Sequence, residues 1–249
     1  MTQGTKVAIV TGAARGIGKA CALDLARAGY HLALVDLLEK ELTETTALCE
    51  TLGIKAVGFV ADVASHARAG EIVEATVAQF GRIDFLLNNA GRSAPESILD
   101  ITEDQFDRAI AINLKSCFNY IQHTAPHMIR DGGGRIVSIS SLNAFTGGVT
   151  QAVSRFAYAA AKAGILGMTR SLAKELGPYI AINAICPGVI QTEIDTDFTA
   201  REEETKKGIA LGRLGTADDV ARLVTFLATS EPCFMTGQAL TVDGFQFNI

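Results

Sequence analysis

Tyr158 and Lys162 stand four residues apart in Tyr158-Ala159-Ala160-Ala161-Lys162, within a stretch from Phe156 to Leu176 built mostly of Ala, Leu, Ile, Met, Lys, Arg and Glu. That composition favours helix, and on a helix the spacing puts both side chains on one face. A phenol is a poor base at neutral pH, but an ammonium group at about 4 Å favours its ionised form by a few kcal/mol at an effective dielectric near 20. Such a pair can accept and return a proton. A solvated helix face would give the same pattern by accident, so the reading depends on what surrounds the pair.

A second candidate is Thr11-Gly12-Ala13-Ala14-Arg15-Gly16-Ile17-Gly18, which follows a short apolar run and opens a helical pattern. Its glycines let the backbone turn sharply and approach a pyrophosphate, whose charge is stabilised by free N–H groups at the helix start. The spacing, Gly-x-x-x-Gly-x-Gly, differs from the Gly-x-Gly-x-x-Gly of other dinucleotide folds; a plain tight connection is the alternative. Asp36 ends the next apolar run. A carboxylate there can accept two hydrogen bonds from an adenosine ribose and repels a 2′-phosphate, which favours NAD(H) over NADP(H). Arg15 pulls the other way, since a cation in the glycine turn can serve a 2′-phosphate. Asp62-Val63 and Asn88-Asn89-Ala90-Gly91 close the two runs that follow. Asp62 is suited to accept from an adenine amino group, and Ala90-Gly91 leave room for a ribose. Ordinary turn chemistry would also choose these residues, Asp36 included.

The elements that must position these groups read as alternating strands and helices. Short runs rich in Val, Ile and Leu occur at Lys6–Val10, His31–Val35, Ala56–Val60, Ile83–Leu87, Arg135–Ile139, Ile180–Ile185 and Ala239–Val242. Between them, Ile17–Ala28, Glu39–Leu52, Ala67–Phe80, Glu103–Ile129, Phe156–Leu176 and Ala217–Ala228 carry apolar residues at helical spacing. The pattern predicts one α/β domain over residues 1–249, a Rossmann-type doubly wound parallel sheet of seven strands with helices on both faces. Ligands of such sheets bind at the carboxyl ends of the strands, where the unusual residues fall.

With 48% hydrophobic residues and 24 glycines in 249, the chain can bury a full core. A net charge of -5 without a long Lys/Arg run argues against nucleic acid or an anionic membrane as partner. Met1–Lys6 is polar and Val7–Val10 is too short for a signal peptide or a membrane span, so a cytoplasmic protein is expected. Cys21, Cys49, Cys117, Cys186 and Cys233 are scattered singly with apolar neighbours, and are expected to be buried, reduced thiols. His123 and His127 have the spacing of a metal pair, but Pro126 intervenes and no carboxylate or cysteine companion is near, so no metal is expected.

Taken in order, Thr11 to Gly18, Asp36, Asp62-Val63, Asn88 to Gly91, Asn113, Ser140-Ser141, Tyr158 to Lys162, Pro187-Gly188-Val189-Ile190-Gln191-Thr192 and Thr241-Val242-Asp243-Gly244 resemble the motifs of the classical short-chain dehydrogenase/reductase family over essentially the whole chain. The resemblance implies that Tyr158 is the general acid/base, that Lys162 assists its ionisation and binds the nicotinamide ribose, that Ser141 orients the substrate oxygen, and that Asn113 holds a water in a proton relay. It also implies that Pro187, Gly188, the backbone of Ile190 and the hydroxyl of Thr192 hold the carboxamide. The chain departs from the family pattern in two places. Ser141 precedes Tyr158 by more positions than in most relatives, which lengthens the loop Leu142–Arg155 with Asn143, Phe145, Thr150 and Gln151. Arg155 in that loop, or Arg92 after Gly91, is suited to hold a carboxylate or phosphate if turned inward, and is otherwise a solvated cation. Phe245 stands where a glycine is common, and with Phe247 it is a candidate for packing on a neighbouring subunit.

Residues 193–209, rich in Asp, Glu and Lys, read as a substrate lid, a charged solvated helix, or both. The implied activity is hydride transfer between NAD(H) and a secondary alcohol or ketone, on a polar sugar-, polyol- or hydroxy-acid-like substrate. The alternatives are a 3-oxoacyl reductase acting on an acyl carrier protein with NADPH, and a dinucleotide-binding regulatory protein without turnover. The resemblance further implies a homotetramer paired through Glu103–Ile129 and Phe156–Leu176, with a dimer as the smaller possibility.

Overall fold

The apolar run before the glycine turn folds, in a computed structural model, as strand β1 (Val7–Thr11), every residue of it buried. The structure describes residues 5–148, 154–192 and 202–246. From β1 the chain alternates through α1 (Gly16–Arg27), β2 (His31–Asp36), α2 (Glu39–Glu50), β3 (Ala56–Val60), α3 (His66–Phe80) and β4 (Phe85–Asn88). Then come α4 (Glu103–Ile110), a π-helical turn (Ala111–Lys115), α5 (Ser116–Arg130), β5 (Gly134–Ile139), the single turn α6 (Asn143–Thr146), α7 (Phe156–Glu175) and β6 (Ile180–Pro187). The chain closes with β7 (Ile190–Gln191), α8 (Glu202–Lys207), β8 (Gly215–Thr216), α9 (Ala217–Thr229) and β9 (Ala239–Val242).

All seven expected strands enter one sheet in the order β3-β2-β1-β4-β5-β6-β9, and every neighbouring pair is parallel. Alternate side chains on each strand feed opposite faces, as the period of two requires. Ala8, Val10, Leu32 and Leu34 pack under α1, α2 and α9 with Leu25, Leu42 and Val224. Ile9, Ala33, Val35 and Ile136 pack under α3, α5 and α7 with Ile72, Met128 and Ile165. Each such side chain removed from water contributes roughly 1.5–3 kcal/mol, which is why the strands read as continuous apolar runs.

The strand order reverses between β1 and β4, and this opens the crevice in which the glycine turn and Asn88–Gly91 face one another. A side-chain clasp joins the two strand ends. Thr11 Oγ1 donates to Leu87 O at 3.3 Å and accepts from the N–H groups of Asn89 and Ala90 at 3.0 and 3.1 Å. Asn89 Nδ2 donates back to the carbonyls of Thr11 and Gly12, both at 3.0 Å.

Several expectations change. The stretch Glu103–Ile129 is not one α-helix, because the π turn inserts an extra residue between α4 and α5. The short pair β7–β8 was not anticipated, since two residues carry no periodicity. Cys21, Cys49, Cys117 and Cys186 are buried but Cys233 is half-exposed; burial pushes the thiols of Cys21 and Cys186 upward, away from reactive thiolate. In the charged segment, Lys206 pairs with Glu202 and Glu203, and Lys207 with Glu204, the intrahelical pairs of a solvated helix. Ile209 beyond it is buried. Asp195 and Asp197 lie outside the described residues, as do Thr150, Gln151 and Phe247.

Candidate active site

The glycine turn begins where β1 stops. Gly12 and Gly16 both have positive φ, 67° and 56°, a region other residues enter only with strain. The turn is also tight: a Cβ on Gly18 would lie 1.9 Å from Gly12 O, and one on Gly12 would lie 2.8 Å from Ala90 Cα. Arg15 is the exposed N-cap residue of α1 and makes no side-chain capping bond, so no side chain of the cap residue takes up the first N–H groups of α1. Ile17 packs on the α1-side core. The backbone cradle therefore fits a pyrophosphate.

Asp36 at the end of β2 is more engaged than its position in sequence suggests. Its carboxylate accepts from Ala14 N at 3.0 Å, Leu37 N at 2.7 Å and Leu38 N at 3.1 Å, so it also holds the glycine turn in place. Asp62 accepts from Ala64 N at 2.9 Å and pairs with Arg108 of α4 at 2.8 Å. Burial alone would raise its pKa, but these partners outweigh it and the carboxyl is held below its usual range. Arg108 carried no signal in the sequence, because the pairing exists only once α4 crosses the end of β3. Val63 is buried in the core and its carbonyl takes Asn119 Nδ2.

Asn113 sits in the π turn and is 1% exposed. Its Oδ1 accepts from Arg92 N at 3.0 Å, and its Nδ2 donates to Arg92 O at 2.9 Å and to Ala109 O at 3.0 Å. The amide hydrogens are thus both used. A Cβ on Gly91 would lie 3.0 Å from Asn113 Oδ1 and 3.5 Å from Lys162 Nζ, so both polar groups border the small space that this glycine keeps open.

Lys162 is only 3% exposed; its Nζ donates to Ile139 O at 2.7 Å and lies 5.5 Å from the centre of the Tyr158 ring. The ring of Tyr158 rests against the cluster of Ala94, Ala109 and Ala157 with Phe106 and Phe156. The two serines after β5 differ in a way that separates their uses. Ser140 is buried and its hydroxyl is spent on Lys162 O at 2.8 Å. Ser141 Oγ accepts from Asn143 N at 3.1 Å and retains its own O–H for donation. At the end of β6, Pro187 O accepts from Leu142 N at 3.0 Å, Gly188 N donates to Val242 O, Ile190 is buried, and Thr192 is half-buried.

The described candidates at the ends of β1, β2, β3, β4, β5 and β6 thus lie at the carboxyl end of the sheet. Arg155 and Arg92, whose direction was open, are both exposed. His127 bonds Glu74 at 2.8 Å, and His123 lies against the His66 ring at 4.4 Å between centres.

Comparison with known proteins agrees with this arrangement. Residues 12–244 match a family model described as enoyl-(acyl carrier protein) reductase. A 3-oxoacyl-(acyl-carrier-protein) reductase of Thermotoga maritima is 38% identical over 241 residues, covering 96% of each chain. One from Staphylococcus aureus is 39% identical over 246 residues, covering 96% of this chain and 97% of the other. The crystal structure of an acetoin dehydrogenase from Salmonella typhimurium superposes with a TM-score of 0.85 at 34% identity, covering 97% of both chains. The seven-stranded parallel sheet, with these matches, makes the chain a member of the short-chain dehydrogenase/reductase family of oxidoreductases.

Proposed function

We propose that this protein is an NAD(H)-linked oxidoreductase acting on a secondary alcohol or ketone, with a polar substrate of the sugar, polyol or hydroxy-acid kind. The reading is carried by Asn113 and Lys162 meeting at the space beside Gly91, with the Tyr158 ring 5.5 Å from Lys162 Nζ and the free hydroxyl of Ser141 on the neighbouring strand end. When bound, the dinucleotide supplies or takes up the hydride. The side chains handle the proton and the position of the substrate.

In oxidation, the phenolic oxygen of Tyr158 takes the hydroxyl proton. To do so Tyr158 reacts as its phenolate and becomes a neutral phenol, and the Lys162 ammonium, 5.5 Å from the ring centre, is the cation placed beside that phenolate. One Nζ hydrogen is given to Ile139 O, which leaves two for the ribose and for a water. Ser141 donates to the substrate oxygen, a contribution of roughly 2 kcal/mol or more in a site closed to water. Since both amide hydrogens of Asn113 are used, a relay water here would be held by the second lone pair of Oδ1 or by carbonyls of the π turn. Pro187, Gly188, Ile190 and Thr192 would hold the carboxamide.

The placement of Asp36 supports NAD(H): a 2′-phosphate beside this carboxylate would meet like charge. Self-association, as a tetramer or a dimer, is supported by the apolar groove of about 280 Å³ between α5 and α7, lined by Phe118, Ile121, Ala125, Ile129, Leu172 and Leu176. The second reading, reduction of 3-oxoacyl groups on an acyl carrier with NADPH, is favoured by the names of the two relatives above and disfavoured by Asp36.

Nicotinamide absorbance, followed with each dinucleotide against polyols, sugars, hydroxy acids and 3-oxoacyl thioesters, tests both readings. Tyr158→Phe is expected to lower turnover by about 10²–10⁴-fold while dinucleotide affinity stays unchanged. Dinucleotide binding with no turnover of any member of the panel would sink the proposal, and turnover of thioesters alone with NADPH would favour the second reading.

A further inference from the structure

Most of the described arginines are held by carboxylates, at distances from 2.5 Å for Arg82 with Asp84 to 3.6 Å for Arg27 with Asp24. That is expected in a chain with 27 Asp and Glu against 22 Lys and Arg. Arg15, Arg92, Arg155 and Arg170 are the exceptions, all exposed and without an ion-pair partner among the described residues, and of these Arg92 and Arg155 are the two tied to the Asn113 and Tyr158 segments. Both are also fixed beside the proposed chemistry through their backbones. The N–H and C=O of Arg92 are bonded by the Asn113 amide at 3.0 and 2.9 Å. Arg155 donates its N–H to Ala94 O at 2.8 Å, two residues along from Arg92, and immediately precedes α7, three residues before Tyr158. Glu96 and Asp100 are the acids of this segment; Asp100 is bonded by Ser97, and neither pairs with these arginines.

We infer that Arg92 and Arg155 form an anion-reading rim over the Tyr158 pocket, and that the substrate carries a carboxylate or phosphate on the side away from its reacting carbon. The inference rests on the function proposed above and narrows its substrate class. A guanidinium recognises either anion through paired N–H donors, and two of them on adjacent segments fix the orientation of the molecule as well as its charge. Because Asn113 is bonded to the backbone of Arg92, changing the side chain leaves the π turn intact.

The test uses Arg92→Gln, Arg155→Gln and the double variant, with dinucleotide affinity measured first by nicotinamide fluorescence and expected to be unchanged. Malonate and inorganic phosphate are then titrated into the enzyme–dinucleotide complex while the thermal midpoint is followed; the one that raises it tells carboxylate from phosphate. Loss of each charge-assisted bond is expected to weaken that anion by roughly tenfold, and Lys at both positions to restore part of it. In turnover, 3-hydroxybutyrate is compared with its methyl ester, and glycerol 3-phosphate with glycerol. The charged member is expected to be preferred, and the preference to be lost in the double variant through KM more than kcat. No midpoint shift in the unmodified protein, or an equal shift in the double variant, overturns the rim. A rim-dependent shift without turnover of any alcohol or ketone would instead remove the hydride-transfer reading and leave the anion site standing. Equal turnover of charged and neutral members in every variant would do the reverse.

Discussion

Replacing Gly18 by alanine adds one methyl group at the tightest point of the molecule. Its carbon would lie 1.9 Å from Gly12 O and 2.5 Å from Asn89 Nδ2, where about 3 Å is the practical limit. Neither neighbour can yield alone: Asn89 Nδ2 bonds the carbonyls of Thr11 and Gly12, and Ala14 beyond the turn is tied to Asp36. The first turn of α1 and the glycine turn must therefore separate by about 1 Å. Overpacking of this kind costs roughly 1–3 kcal/mol, and for a chain of this size each kcal/mol lowers Tm by about 2–4 °C. The same displacement moves the N–H groups that would face a pyrophosphate, so Kd for the dinucleotide is expected to rise by about tenfold or more. Gly29→Ala is the control. Gly29 has φ 86° with nothing within 4 Å of an added Cβ, so it pays only the left-handed strain of about 1–2 kcal/mol and should keep dinucleotide affinity. Calorimetry and fluorescence titration of both variants decide the matter. Normal affinity in Gly18→Ala, or an equal loss in Gly29→Ala, would refute the argument that close packing of this turn sets the cofactor site.

Asp36→Ala should narrow the NAD-over-NADP ratio of kcat/KM by about tenfold or more and cost stability as well, because three backbone N–H groups lose their acceptor; an unchanged ratio would remove Asp36 from cofactor choice. Phe245 has φ 62° and a 65% exposed side chain, so Phe245→Gly should raise stability by about 1 kcal/mol, and a fall in Tm would show that the ring has a packing partner worth more than the strain. Asp219 caps α9 through Thr216 and bonds Arg213, and the arginine first, then the Thr216 donors, hold its carboxyl well below the usual range. A depressed folded-state pKa stabilises above the unfolded value of about 3.9 and is lost as pH falls through the folded one. Asp219→Ala should accordingly cost about 1 kcal/mol at pH 7, and urea titrations should show that gap shrinking below about pH 4; a gap independent of pH would mean that the charge contributes nothing.

The sheet was legible because its inner strands are buried on both faces, and Val, Ile and Leu are what such strands need; the edge strands β3 and β9 are only partly buried. The residues at the strand ends were legible because a parallel sheet places its functional groups there. What escaped has one physical character: side chains that meet only after the helices cross the sheet. Arg108 on Asp62, the clasp between Thr11 and Asn89, and the spending of Ser140 on the Lys162 carbonyl involve residues far apart in sequence. The π turn escaped for a different reason, since one extra residue in a long amphipathic stretch hardly disturbs its apolar spacing. Asp36 was read as a ligand group and is a structural acceptor as well, which no local pattern reveals.

That turn also limits how the gene can change. Removing one codon between Ile110 and Ser116 would let α4 and α5 merge into a more regular helix with better backbone bonds. Every residue of α5 would then rotate by about 100° about the helix axis. Tyr120, Ile121 and Met128 would swing away from the sheet they now cover. Asn113 would leave the carbonyls of Arg92 and Ala109. A length change at this point is therefore far more damaging than most substitutions, and the irregularity sets the helical register that keeps the proposed chemistry and the core in phase.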